Sequence, residues 1–153
     1  MKIMDILVRD RAILDLTSDT KQAVLEEMAR ATAAAEPGLN AERLLSVLMD
    51  REALQSTGIG EGVAIPHGKI SGLDHIVASF ARSVKGVDFE SIDGQPTHLF
   101  FLLVVPEHSG GQHLKALARI SRFFRDAEFR QKLISAGTPE EVFMTIEQED
   151  AKF

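Results

Sequence analysis

The chain of 153 residues contains no cysteine, which removes disulfides, thiolate metal ligands and every cysteine nucleophile at once. Long apolar runs are also missing. The longest, Leu99 to Val105, is far too short to cross a bilayer, and no membrane insertion is expected. Positive charge is in deficit, with 17 Lys and Arg against 23 Asp and Glu, a net charge of −6 and no basic stripe, so nucleic acid is not an expected partner. No G-x-x-x-x-G-K-[ST] loop occurs. The glycines at 58, 60 and 62 lead into a strand-like run stopped by proline instead of a helix, which excludes a dinucleotide fingerprint. The N-terminus carries Asp5 early and has no signal-peptide h-region, which points to a soluble, cytoplasmic protein. Repeats, low-complexity tracts and linkers are absent, so residues 1–150 are expected to form a single domain able to bury roughly two thirds of its unfolded surface.

What is present alternates between helix and strand. Residues 3–8 suit one or two amphipathic turns, and residues 12–16 read as a short strand. Thr17-Ser18-Asp19, with Gln22 three residues after Asp19, predicts the N-cap of a helix that runs to Pro37-Gly38. Asn40 caps a second helix whose apolar face is Leu44, Leu45, Val47, Leu48 and Leu54, with Arg51 near its end. Residues 75–84 predict a strand with Ile76, Ala78 and Phe80 on one face, and Asp93-Gly94 predicts a turn. Leu99 to Val105 is apolar at every position, the pattern of a strand covered on both faces. Three helices should follow: one carrying Leu114, Leu117, Ile120 and Phe124, one over 127–136, and one over 139–148 opened by Thr138-Pro139-Glu140-Glu141. Phe123, Phe124 and Phe129 read as core, and the acidic runs at 26–27 and 147–150 as solvated helix faces. The fold class expected is α/β, a central mixed sheet between helices in one compact domain.

Thr57 to Lys69 is the stretch that carries chemistry. Pro66 pushes Ile65 toward an extended conformation, so the chain enters His67 as the end of a strand at the rim of a sheet. Gly68 leaves room for a bulky partner to approach beside the ring. Most histidines are surface or satisfied-core residues, but this framing favours a functional one. His113 falls in the first turn of a helix after Gly110-Gly111, where free N–H groups and the helix dipole suit a phosphate and disfavour a protonated ring. A merely capping or exposed histidine fits that position equally well. His67, His113, His108, Glu61 and Glu107 could be assembled as metal donors, yet none stands at a tight ligand spacing, so no metal and no cofactor are expected.

The run Ser56-Thr57-Gly58-Ile59-Gly60-Glu61-Gly62-Val63-Ala64-Ile65-Pro66-His67-Gly68 closely resembles the phosphorylation motif of type-2 IIA domains of the bacterial phosphoenolpyruvate-dependent phosphotransferase system, the mannitol/fructose type, and in particular its nitrogen-regulatory branch. Asp50-Arg51-Glu52, Asp93-Gly94-Gln95-Pro96 and Pro106-Glu107 stand in matching order, so the resemblance covers nearly the whole chain. It implies that His67 accepts a phosphoryl group on Nε2, as tele-phosphohistidine, from an HPr/NPr-like carrier. It also implies that His113 orients the ring or phosphate and that Arg51 lies near the phosphate. Backbone N–H groups at Gly68 and Gly111 are candidates to stabilise it. Glu61 stands where branches of the family differ, and a carboxylate there would repel phosphate unless the loop turns it away. The expected role is regulatory, read by downstream proteins of nitrogen or potassium metabolism. The alternatives are a relay to a IIB domain in fructose or mannitol uptake and a non-catalytic interaction module. The oligomeric state, a weak homo-oligomer included, is left open.

Overall fold

The computed structural model describes residues 1–9 and 12–153. Its organising element is strand β5 (Thr97–Pro106), which is buried along almost its whole length. Leu99, Phe101, Leu103 and Val105 enter one hydrophobic cluster, while Phe100, Leu102 and Val104 enter another. That is why the run shows no alternation: both of its faces are covered.

The first cluster packs against the 3₁₀ turn Ile3–Asp5 and helices α3 (Gln112–Phe124), α4 (Ala127–Ser135) and α5 (Pro139–Asp150). There Phe124 and Phe129 meet edge-to-face at 5.3 Å, and Phe123 and Phe129 at 5.7 Å. The second cluster packs against α1 (Lys21–Ala35) and α2 (Ala41–Leu54). The expected mixed sheet between helices is therefore present.

On one side, β5 pairs antiparallel with β4 (Val77–Val87). On the other it pairs parallel with two short pieces in line, β2 (Val63–Ala64) and β3 (His67–Ile70), while β1 (Gly58–Gly60) folds back antiparallel on β2. Pro66 interrupts this edge, yet its carbonyl still accepts from Leu103 N at 2.9 Å. The chain therefore does not end its strand at residue 65. It resumes at His67, in register with Leu103.

Several other expectations need correction. Residues 12–16 form no strand; Ile13 makes a single bridge to Ala81, and Leu16 N donates to Arg82 O. The cap of α1 is Thr20, which accepts from Ala23 N at 3.2 Å, because Thr17 and Ser18 both give their N–H and hydroxyl to Glu27. Glu27 is thus a bound group and not a solvated one. The acidic end of α5 is likewise not a solvated face. Buried Asp150 accepts from Ile3 N at 3.0 Å, Met4 N at 2.9 Å and the Arg119 guanidinium at 3.0 Å, tying the N-terminus to α3 and α5.

Candidate functional site

Three segments converge at the junction of β3, the C-terminal half of α2 and the start of α3. They line a cavity of about 360 Å³ whose walls include Arg51, Leu54, His67, Gly68, Lys69 and His113. A second depression of about 330 Å³ opens on the other side of His67, lined by Ser56, Thr57, Ile59, Ile65, Ile92 and Ser121. His67, Arg51 and Leu117 belong to both, so the ring stands between two hollows.

The ring is half-buried and held by its own chain. Pro66 turns the backbone so that His67 Nδ1 lies 2.8 Å from the Ile65 carbonyl. A carbonyl only accepts, so Nδ1 carries the proton and Nε2 holds the lone pair in the neutral ring. Burial is the largest influence on its titration and holds the pKa below the ordinary 6.5. The bond to Ile65 and the charge of Glu52 pull upward, while Arg51 and His113 push downward.

Arg51 is fixed at the end of α2, where Nη1 donates to Gln55 O at 2.7 Å. His113 Nδ1 lies 3.1 Å from Gly110 O and 3.4 Å from Ser109 Oγ, and Gly111 occupies the N-cap position of α3 without a side-chain cap bond. In its neutral form this ring also places its proton on Nδ1.

His67, His113, Arg51 and Gly68 are thus brought together, while Gly111 caps α3 outside the cavity lining. The room beside Gly68 is taken by the chain itself, because a Cβ there would overlap Val47 Cγ1 of α2. Glu61 is turned elsewhere. It sits at φ 58 between two left-handed glycines, Gly60 at φ 93 and Gly62 at φ 77, and gives its N–H to Asp93 Oδ2. Its carboxylate lies 3.6 Å from Arg130 and lines a separate hollow with Arg125 and Ser121. His108 and Glu107 are exposed on the turn after β5, and no group of three His, Asp or Glu among the described residues is arranged to hold a metal.

Residues 5–149 match the family model described as "Phosphoenolpyruvate-dependent sugar phosphotransferase system, EIIA 2". The chain belongs to that family. Among EIIA 2 relatives, it is 42% identical to the nitrogen regulatory protein of Bradyrhizobium diazoefficiens, over 95% of each chain. It is 36% identical to the fructose-specific EIIABC component of Bacillus subtilis, over 98% of this chain and 24% of that longer one. The crystal structure of the nitrogen regulatory protein IIA-Ntr from Neisseria meningitidis superposes with a TM-score of 0.87 at 33% identity, covering 94% of this chain and 98% of that one. The likeness to the nitrogen-regulatory branch therefore holds in both sequence and fold. Among the described residues, no helix is long and apolar enough to cross a membrane.

One buried residue beside this site carried no role on sequence alone. Glu52 sits between Arg51 and the glycine loop and accepts from Thr57 N at 2.7 Å and Thr57 Oγ1 at 3.0 Å. Its only sequence signal is its place next to Arg51.

Proposed function

We propose that this EIIA 2 domain is a phosphoryl carrier that accepts phosphate on His67 Nε2 from a histidine-phosphorylated carrier of the HPr/NPr kind. The observation that carries this reading is the bond from Nδ1–H to the Ile65 carbonyl, which leaves Nε2 as the nucleophile in a ring kept neutral by burial. In the step, the N–P bond of the carrier breaks and its imidazole nitrogen leaves with the electron pair. A new N–P bond forms at Nε2. The His67 ring gains positive charge while keeping its Nδ1 proton, and the Ile65 carbonyl stabilises that charge. Positioning and charge compensation are the main requirements of such a transfer, and no metal or nucleotide takes part.

Arg51 faces the same cavity and offsets part of the nearly two negative charges that a phosphoryl group carries. Gly68 borders it, and the uncapped start of α3 at Gly111 offers backbone N–H groups nearby. For His113 to donate to a phosphoryl oxygen, Nε2 must carry a proton, either in the doubly protonated ring or in the other tautomer. A dianionic group in the cavity favours that proton. Glu61, tied to Arg130 and Asp93, takes no part.

The role favoured is regulatory, acting from the cytoplasm on protein targets; the names of the relatives support nitrogen regulation, and a role in potassium metabolism belongs to the same reading. A second reading, relay to a IIB domain, is favoured by the likeness to the fructose-specific EIIABC component.

Incubation with phosphoenolpyruvate, the first enzyme of the system and an HPr-like carrier should yield an acid-labile, alkali-stable phosphate that is absent from His67→Ala. Absence of label where a control IIA domain is labelled overturns the reading and leaves an interaction module.

A further inference from the structure

His67 is connected to a buried carboxylate, Glu52, through a series of hydrogen bonds that runs by way of Ile65 and Thr57. Glu52 Oε1 and Oε2 accept from Thr57 N at 3.0 and 2.7 Å, and Oε1 also accepts from Thr57 Oγ1 at 3.0 Å. The carbonyl of Thr57 accepts from Ile65 N at 3.0 Å. The carbonyl of Ile65 accepts from His67 Nδ1 at 2.8 Å. Lys21, at the start of α1, lies 3.4 Å from Glu52 Oε1 and 5.1 Å from the centre of the Phe89 ring.

The surroundings leave this loop little freedom. Ser56 Oγ donates to Phe89 O at 2.8 Å, and Ile92 N donates to Gly58 O at 3.3 Å. A side chain at Gly58 would press on Ser91. Glu52 and Thr57 are both buried. A buried carboxylate that is fully hydrogen-bonded makes a rigid anchor, because each lost bond would leave a polar group unsatisfied.

We infer that Glu52 is a positioning residue for His67: through Thr57 and Ile65 it fixes the carbonyl that holds the ring proton on Nδ1, and so selects Nε2 as the nucleophile. The inference rests on the proposed phosphoryl transfer only for its consequence in rate; its consequence for the ring holds without it. Arg51, adjacent in sequence, faces the cavity, whereas Glu52 is buried beneath the loop. The two thus divide the work of charge compensation and alignment. Lys21, shared with Glu90 at 3.6 Å, pairs with the carboxylate and offsets part of its charge, and the remainder still acts on the His67 ring.

The test is nitrogen-15 NMR of the imidazoles in the full chain, which reports the tautomer and pKa of His67 directly. The charged groups acting on this ring are Arg51, Glu52 and His113, with Asp50 and Lys69 on the same cavity. In Glu52→Gln the share of Nδ1-protonated ring should fall and the His67 pKa should drop further, since a raising charge is lost. Phosphoryl acceptance should slow by roughly ten- to a hundredfold, with the thermal transition still cooperative. Thr57→Val, a milder change that removes only the hydroxyl donor, should shift the tautomer balance in the same direction, and Thr57→Ser should restore it. An unchanged tautomer balance in folded Glu52→Gln or in Thr57→Val overturns the inference. Should the tautomer respond while the wild-type chain accepts no phosphate, the positioning role stands and the proposed function falls.

Discussion

Val47 of α2 fills the space that a side chain on Gly68 would need. The helix that delivers Arg51 is thereby seated directly on the strand that delivers His67. Gly68→Ala should therefore destabilise the fold by about 1–3 kcal/mol, the usual result of overpacking. Val47→Ala should recover part of that loss in the double variant. Urea unfolding of the four proteins checks both statements, and additive losses would contradict the contact.

The depressed pKa of His67 sets the pH profile. Since burial favours the neutral ring, the nucleophilic form persists below pH 6.5, and phosphoryl acceptance should decline only at more acidic values. The linkage has the same sign. The native state binds fewer protons here than the unfolded chain, so this group's contribution to stability is present above pH 6.5 and is lost as pH falls through the lower folded-state pKa. Single-turnover rates measured across this range, using a carrier phosphorylated beforehand, check the first statement.

His113→Gln should retain the fold and slow transfer. A glutamine cannot take up a second proton, so if the doubly protonated ring is the donor the loss should reach about a hundredfold, within the range for general acid groups. Unchanged single-turnover rates would remove His113 from the mechanism.

Large apolar side chains are exposed around the mouth: Leu54 at 83%, Ile92 at 70%, Leu114 at 62% and Ile59 at 41%. Leu54 borders one hollow beside His67, Ile59 and Ile92 border the other, and Leu114 follows His113. If a phosphocarrier docks here, Leu54→Glu and Ile92→Glu should each raise its KM by about tenfold, with little change in the rate at saturation. Steady-state kinetics with varied carrier concentration separates the two parameters.

Asp150→Ala removes the acceptor of two N-terminal N–H groups and the partner of Arg119. Breaking a buried pair from one side should cost about 3 kcal/mol, more than any exposed ion pair here. A thermal melt that barely moves would show the anchor to be dispensable.

The sequence exposes much of this architecture, and the parts it hides share a cause. The run from Leu99 to Val105 announces a doubly covered strand because every position is apolar. Asn40, Thr138 and the Pro37-Gly38 stop are equally legible, since each acts within a few residues of itself. The acidic tail reads as solvated because the partners of Asp150 are Ile3, Met4 and Arg119, which lie 147, 146 and 31 residues away. Thr17 and Ser18 imitate a cap because nothing local shows that Glu27 already engages them. At the site, His67 is visible from its proline and glycine frame. Glu52 is not, since its link to Lys21 depends on how α1 meets α2. The resumption of pairing at His67 depends on β5, a strand remote in sequence.

The broken edge at Pro66 bears on how a loaded His67 would be noticed. β5, which β3 leans on, is paired along its opposite side with β4 and covered above and below, so moving it would break pairing and packing on three sides. Added charge on the ring would leave the scaffold still and alter only the mouth of the cavity. A protein that distinguished two such forms would then do so by touching that mouth, and the message would be written on the skin of the molecule and not in its posture.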